Sequence, residues 1–293
     1  MRALVIGVSG QVGTMLVTAL RGRGHEATGT YGQHPVEGAW PLDINDPAAV
    51  EHAVAFVKPD WVICPAGLSF VDYCEGHVDE ALAVNRDGPL HAARMAQRFG
   101  AGFIYYSSDY VFDGTAGPYA ESDPPNPLSA YGRSKLEGER AVLEAHRRAI
   151  VVRTTWIYGP EPQGKNFVYQ VMRSCRSGTP MRIAADQVSS PTYNLDVAAA
   201  TVELAERGLA GVYHLAGPDR LDRHAFALMA CDVFGLDPSA LSASPTAALD
   251  QKAPRPLLSG LRIDKARAAL ATPLRGARAG LEAMRQALAD RCP

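Results

Sequence analysis

The sequence predicts an α/β protein built on a doubly wound parallel sheet, with a smaller lobe formed by its C-terminal part. Three observations carry this reading. Short apolar runs alternate with longer stretches of helical periodicity through the first half of the 293 residues. Three glycines occupy the turn between the first apolar run and the first helical stretch. After Trp156 the alternation becomes irregular, as expected where a differently built unit begins.

The elements follow in order. Residues 3–6 are the first expected strand, and residues 11–21 the first helix, with Val12, Leu16, Ala19 and Leu20 on one face. A second strand is expected over 25–30. Asp46 before Pro47 joins a capping side chain to a proline in the first turn, and so starts a helix that runs to about Val57. A strand over 61–64 leads to a helix over 81–98, which Gly100 closes. Strands over 102–107 and 150–156 enclose a helix over 131–145. Parallel neighbours need a crossover, so repeated strand–helix–strand units mean a parallel sheet with helices on both faces. The stretch 114–127 holds four prolines and two glycines and reads as a loop arching over the sheet's end. Further on, helices are expected over 166–175, 195–206 and 221–234 and from about Ala277, with a strand over 212–215.

Composition narrows the function. A chain that is 47% hydrophobic can bury a sizeable core, and a formal charge of −2 exerts no long-range pull on nucleic acid or an anionic membrane. Cys64, Cys74, Cys175, Cys231 and Cys292 are scattered without a Cys-x-x-Cys pair, which argues against a disulfide framework and a zinc ribbon. The eight histidines show no ligand spacing, so no metal site is expected. No run approaches ~18 apolar residues, and the N-terminal run is too short for a signal peptide. A soluble, cytoplasmic protein is expected, with a small-molecule substrate and no nucleic-acid or membrane partner. A homodimer is the assembly anticipated.

The turn Gly7-x-x-Gly10-x-x-Gly13 lets the backbone bend tightly and approach a pyrophosphate at a helix N-terminus. Three glycines alone also describe an ordinary turn; the position after the first strand favours dinucleotide binding. Asp43-Ile44, Ala66-Gly67 and Asn85 are candidates for the same crevice, although Asp43 can equally form a local turn and Asn85 hold a loop or face solvent. The segment Thr30-Tyr31-Gly32-Gln33-His34 carries no carboxylate for a ribose 2′-hydroxyl, which leans towards NADP, yet it offers no arginine for a 2′-phosphate.

The strongest chemical signal is Tyr131-Gly-Arg-Ser-Lys135. A four-residue offset on a helix puts both side chains on one face, where an ammonium can lower the phenol's pKa from about 10 and also meet the nicotinamide ribose. The strand before it ends in Ser107-Ser108-Asp109, placing a hydroxyl where open α/β sheets bind ligands. Trp156 is read either as a surface for a sugar or as a core aromatic, and Lys165 and Arg173 either as diphosphate contacts or as a solvated face.

These motifs occur in a recognisable order. Gly-x-x-Gly10-Gln11-Val12-Gly13, Val71-Asp72-x-Cys74-Glu75, Ser107-Ser-Asp-Tyr-Val-Phe-Asp-Gly114, Pro118-Tyr119-x-Glu121, Tyr131-Gly-Arg-Ser-Lys135-x-x-Gly138-Glu139 and Arg153-Thr-Thr-Trp156 resemble the dTDP-4-dehydrorhamnose reductases. Asn166-Phe167-Val168, Asp186-Gln187 and Pro191-Thr192-Tyr193 continue the likeness, which is close over roughly residues 1–215 and loose beyond. The resemblance implies a Rossmann fold of the extended short-chain dehydrogenase type, with a dinucleotide-binding domain over 1–160. Residues 161–293 would be mainly a substrate lobe, with a segment near 191–216 returning to the first domain. It implies NADPH or NADH as cofactor and a nucleotide-linked 4-keto sugar as substrate. Ser108, Tyr131 and Lys135 would be catalytic, with Ser108, Asp109 and Trp156 against the sugar. Gly7, Gly10, Gln11, Val12, Gly13, Asp43, Ile44, Ala66, Gly67, Tyr131 and Lys135 would surround the cofactor.

The chain departs from that family at Ser108, where threonine is usual, at Val188-Ser189-Ser190, which lacks a glycine, and at the apolar Leu68-Ser69-Phe70. Two rivals share the motifs. A sugar 4,6-dehydratase or 4-epimerase uses the same scaffold, but a dehydratase needs Asp-Glu after the strand hydroxyl, and here Asp109 precedes Tyr110. The regulatory β subunit of methionine adenosyltransferase is similar through residues 107–115 and Arg255-Pro256; Trp156 favours the reductase.

Overall fold

A computed structural model describes residues 1–290; Cys292 lies outside them. The chain runs β1 Arg2–Ile6, α1 Gln11–Gly22, β2 Glu26–Tyr31, β3 Trp40–Pro41, α2 Pro47–Val57, β4 Trp61–Cys64, α3 Val71–Gly76, α4 Val78–Leu82, α5 Gly88–Arg98, β5 Gly102–Ser108, α6 Ala130–Ala145 and β6 Ala149–Thr154. It continues through β7 Ile157–Tyr158, α7 Phe167–Ser177, β8 Met181–Ala184, β9 Val188–Ser189, β10 Thr192–Tyr193, α8 Asn194–Glu206 and β11 Gly211–His214. β12 Leu221–Asp222, α9 Arg223–Phe234, β13 Leu241–Ser244, α10 Asp264–Ala269 and α11 Ala277–Ala289 complete it.

The central sheet is parallel throughout, in the order β11-β6-β5-β4-β1-β2-β3. Its inner strands are buried on both faces, which is why residues 61–64 read as an unbroken apolar run. One face packs Leu16, Leu20, Val197 and Leu204 of α1 and α8 onto the sheet; the other packs Val50, Val54, Ala92 and Ala96 of α2 and α5. Each fully buried valine or leucine among them contributes roughly 1.5–3 kcal/mol. Asp46 caps α2 as expected, accepting from the Ala48 and Ala49 amides. Helix α8 lies against α1, and β11 pairs with β6 at the edge of the central sheet. Elsewhere the C-terminal half forms a lobe of two-residue and four-residue strand pairs with α7, α9 and α11 around Tyr158, Met172, Phe226 and Leu281.

Two expected elements differ. The helix expected over 81–98 is interrupted by a π-helical turn, Ala83–Asp87, between α4 and α5. That turn carries Asn85, whose side chain is drawn sideways onto residue 68 and Ser134, and it precedes Pro89, which has no amide to donate. The strand expected to reach Trp156 stops at Thr154, because Trp156 has φ +38°, the left-handed region that a strand does not use. No helix of the described residues is long and apolar enough to cross a membrane.

Helix α6 is fastened to β6 by a buried double ion pair. Arg153 Nε and Nη2 donate to Glu139 Oε1 and Oε2 at 2.9 and 2.7 Å, with both side chains 5% exposed or less. Removing one partner leaves an uncompensated buried charge. Glu139→Gln is therefore expected to destabilise the fold by about 3 kcal/mol in denaturant unfolding, with Arg153→Lys only partly tolerated because it loses the two-pronged geometry.

Candidate active site

The crevice begins at the turn after β1. Gly7 has φ +101°, and a Cβ there would stand 2.9 Å from the Ala66 backbone. A Cβ on Gly13 would lie 2.1 Å from the Gly7 carbonyl oxygen, so both glycines are needed to close the turn. Gly10 is different: only the Gly7 oxygen lies near, at 3.6 Å, which leaves an open flank at the N-terminus of α1. Gly10 caps that helix without a side chain, so the amides of Gln11, Val12 and Gly13 are free to meet an anion. Gln11 Nε2 and Thr30 Oγ1 are buried there without a hydrogen-bond partner. Buried orphan polar atoms beside an open glycine turn fit a nicotinamide dinucleotide.

The other expected cofactor residues divide. A Cβ on Gly67 would sit 2.8 Å from Lys135 Nζ and 3.0 Å from Asn85 Oδ1, so Ala66-Gly67 lies at the inner wall of the crevice. Asn85 proves to be a clamp. It accepts from the Leu68 amide, donates to the Leu68 carbonyl and to Ser134 Oγ, and its own carbonyl accepts from Tyr105. Asp43 forms the local turn, accepting from the Asn45 amide, and the Ile44 side chain is buried in the core against Gly88. Asp43 stays exposed, whereas Ile44 is turned inward.

Tyr131, Lys135 and Ser108 are brought together by α6. Ser129 caps the helix by accepting from the Gly132 amide. Gly132 lets it press against the chain after β5: a Cβ would stand 2.2 Å from the Tyr110 carbonyl oxygen. Tyr131 packs edge-on to Tyr110, centroids 5.5 Å apart, and is 8% exposed. Burial pushes its phenol well above the usual range, while the Ser108 hydroxyl beside it acts the other way.

Lys135 is anchored on the backbone of β5. Its Nζ donates to the Tyr106 carbonyl at 3.0 Å and lies 4.9 Å from the Tyr105 ring centroid, on the Gly67 side of the crevice. Burial lowers its pKa to about 8. The ammonium thus stands at the Gly67 wall of the crevice.

Asp109 belongs to the interior. It is 1% exposed, and its carboxylate accepts from Ser108 at 3.2 Å, Ser189 at 2.9 Å and Ser259 at 2.8 Å. Burial raises its pKa and the surrounding hydroxyls oppose that shift. Through these bonds the carboxylate ties Ser108 to two segments of the second half. Trp156 is half-buried, held in its strained conformation by the Thr192 amide donating to its carbonyl.

Two further arginines were given no site role by the sequence reading. The Arg223 guanidinium lies 5.0 Å from the Trp156 ring centroid and 4.3 Å from that of Phe167, and it pairs with no carboxylate among the described residues. Arg255 pairs with Asp72 at 2.8 Å, but its buried Nη1 has no partner. Of the cations suspected from sequence, Lys165 is exposed, and Arg173 donates to the Gly164 carbonyl from an exposed position. Only Arg255-Pro256 had drawn attention as a motif; Arg223 lies almost 70 residues after Trp156, with no local pattern to mark it.

With this crevice, the fold places the chain among the extended short-chain dehydrogenases and reductases, enzymes that use a nicotinamide dinucleotide. The family model described as RmlD substrate binding domain matches residues 1–289, and the chain belongs to that family. It is 36% identical over 286 residues to a dTDP-4-dehydrorhamnose reductase of Mycobacterium tuberculosis, covering 96% of this chain and 91% of that one. A dTDP-4-dehydrorhamnose reductase structure from Clostridium acetobutylicum superposes with a TM-score of 0.91 at 31% identity, covering 99% of this chain and 100% of that one. One from Bacillus anthracis, solved in complex with NADP, gives 0.89 at 28% identity and covers 98% and 99%. The chain is an NAD(P)H-dependent oxidoreductase.

Lys135→Met tests whether the buried ammonium serves function at the expense of stability. At pH 7 the variant is expected to be at least as stable as the parent, because a desolvated charge is gone, while turnover falls by about 10² or more. Its stability advantage should shrink as pH rises from about 8 towards the unfolded value of roughly 10.4, where the parent too sheds the penalised proton. Thermal unfolding across that range reads both signs.

Proposed function

We propose that the chain reduces the 4-keto group of a nucleotide-linked 4-keto-6-deoxy sugar of the dTDP-4-dehydrorhamnose kind. The observation that carries this reading is the convergence of Ser108 and Tyr131 at the end of β5 with Lys135 on the cofactor side of the same crevice. When bound, the reduced nicotinamide supplies the hydride to C4. Ser108 turns its hydroxyl from the long 3.2 Å bond with Asp109 to the carbonyl oxygen. Tyr131 gives its phenolic proton to the developing alkoxide, and its raised pKa keeps that proton in place until the alkoxide forms. Lys135 holds the ribose, and its charge stabilises the phenolate left behind.

The remaining groups fit a sugar diphosphate. Trp156 presents an aromatic face to the sugar, and Arg223 and Arg255 bring guanidinium N–H groups that no carboxylate has fully neutralised. The absence of an acid after β2 supports NADPH over NADH, and so does the NADP-bound relative.

Oxidation of NADPH and NADH by freshly generated dTDP-4-keto-6-deoxy-L-mannose tests the reading, with Tyr131→Phe alongside. Turnover with NADPH is expected, falling by about 10²–10⁴ in the variant. Undiminished turnover in Tyr131→Phe would contradict the assigned proton donor. Tight NADPH binding without turnover on any 4-keto sugar would favour the regulatory-subunit reading.

A further inference from the structure

Helices α7 and α9 lie side by side in the C-terminal lobe and touch at two levels. At their N-terminal ends, Arg223 stacks on Phe167 and Trp156. Cys175 follows Phe167 by eight positions, and Cys231 follows Arg223 by eight. There the two sulfur atoms approach to 3.5 Å. At ~1.5 Å per helical residue, the two contacts are about 12 Å apart along one seam. Both cysteines are free thiols in an apolar cluster with Val171, Ile183 and Ala227. Cys231 is buried, whereas Cys175 is partly open to solvent, so one member of the pair can meet an oxidant.

We propose that Cys175 and Cys231 form a redox-active pair that closes to a disulfide bridging α7 and α9, with a small-molecule disulfide as oxidant. Cys175, as thiolate, attacks one sulfur of the oxidant. A mixed disulfide forms and the first small thiolate leaves, taking up the proton lost by Cys175. Cys231 then attacks the Cys175 sulfur, and the second small thiolate leaves with the proton of Cys231. Two protein thiols are oxidised and one small disulfide is reduced to two thiols.

Closure requires the sulfurs to move from 3.5 Å to about 2.05 Å, a shift of roughly 1.5 Å that side-chain rotation and a slight helix displacement supply. Burial pushes Cys231 up to about 12, and the facing Cys175 and Asp237 act in the same direction, which makes the second attack the slower one. A bridge at one end of the seam fixes the spacing of Phe167 and Arg223 at the other. Oxidation therefore alters the grip on the substrate; this consequence, unlike the bond itself, rests on the proposed reductase reading.

The experiment uses the full chain carrying Cys292→Ser, incubated while folded with oxidised glutathione. The expected product has lost two mass units, yields a single cross-linked peptide pair joining Cys175 to Cys231, reverts with dithiothreitol, and unfolds at a higher temperature than the reduced form. Cys175→Ser should give none of these. Persistence of both thiols, or glutathione retained on Cys175 without closure, would overturn the proposal. An oxidised form with an unchanged KM for the keto sugar, assayed beside the reduced form, would overturn the coupling to the substrate end.

Discussion

The close approach of helix α6 to the end of β5 is the constraint on which the site depends. Two residues of α6 lack a side chain where a Cβ would collide with backbone: Gly132 with the Tyr110 carbonyl and Gly138 with the Asn85 carbonyl, each within about 2.2 Å. Gly132 brings Tyr131 beside Ser108, and Gly138 allows the π-helical turn to lie against α6 so that Asn85 can bond Ser134. Glu139, the neighbour of Gly138, locks the helix onto Arg153 of β6. Catalytic spacing and fold stability thus share one short helix face.

The second half of the chain is joined to that face by buried polar contacts as well as by apolar packing. Asp109 receives hydroxyl bonds from Ser108, Ser189 and Ser259, drawing together the end of β5, β9 and the segment after Arg255. Such a network is costly if broken, because an unpaired buried carboxylate has no water to turn to. The orientation of the Ser108 hydroxyl is consequently sensitive to how the lobe sits. Ser189, in the Val188-Ser189-Ser190 stretch that lacks the glycine expected from the resemblance, supplies one of these bonds.

Much of the fold was legible because the inner strands are buried on both faces and the helices between them are capped by local signals such as Asp46-Pro47 and Gly100. The π-helical turn was not legible, since it arises from Asn85 binding residues far from it in sequence. Within the site, glycine spacing and the Tyr131/Lys135 offset were readable as local patterns. What Lys135 touches was not: the offset fixes a shared helix face, but burial and the Tyr106 carbonyl decide where the ammonium goes. The burial of Asp109 and the arrival of Arg223 beside Trp156 are tertiary facts, set by chain segments 80 or more and nearly 70 positions away.

The most direct test of the account is to follow the hydride itself. Reduction of the 4-keto sugar nucleotide with NADPH deuterated at nicotinamide C4, read by NMR of the product, is predicted to place one deuterium on the sugar at C4. Deuterium at another carbon, or none transferred while NADPH is bound, would contradict the assignment of this crevice to carbonyl reduction.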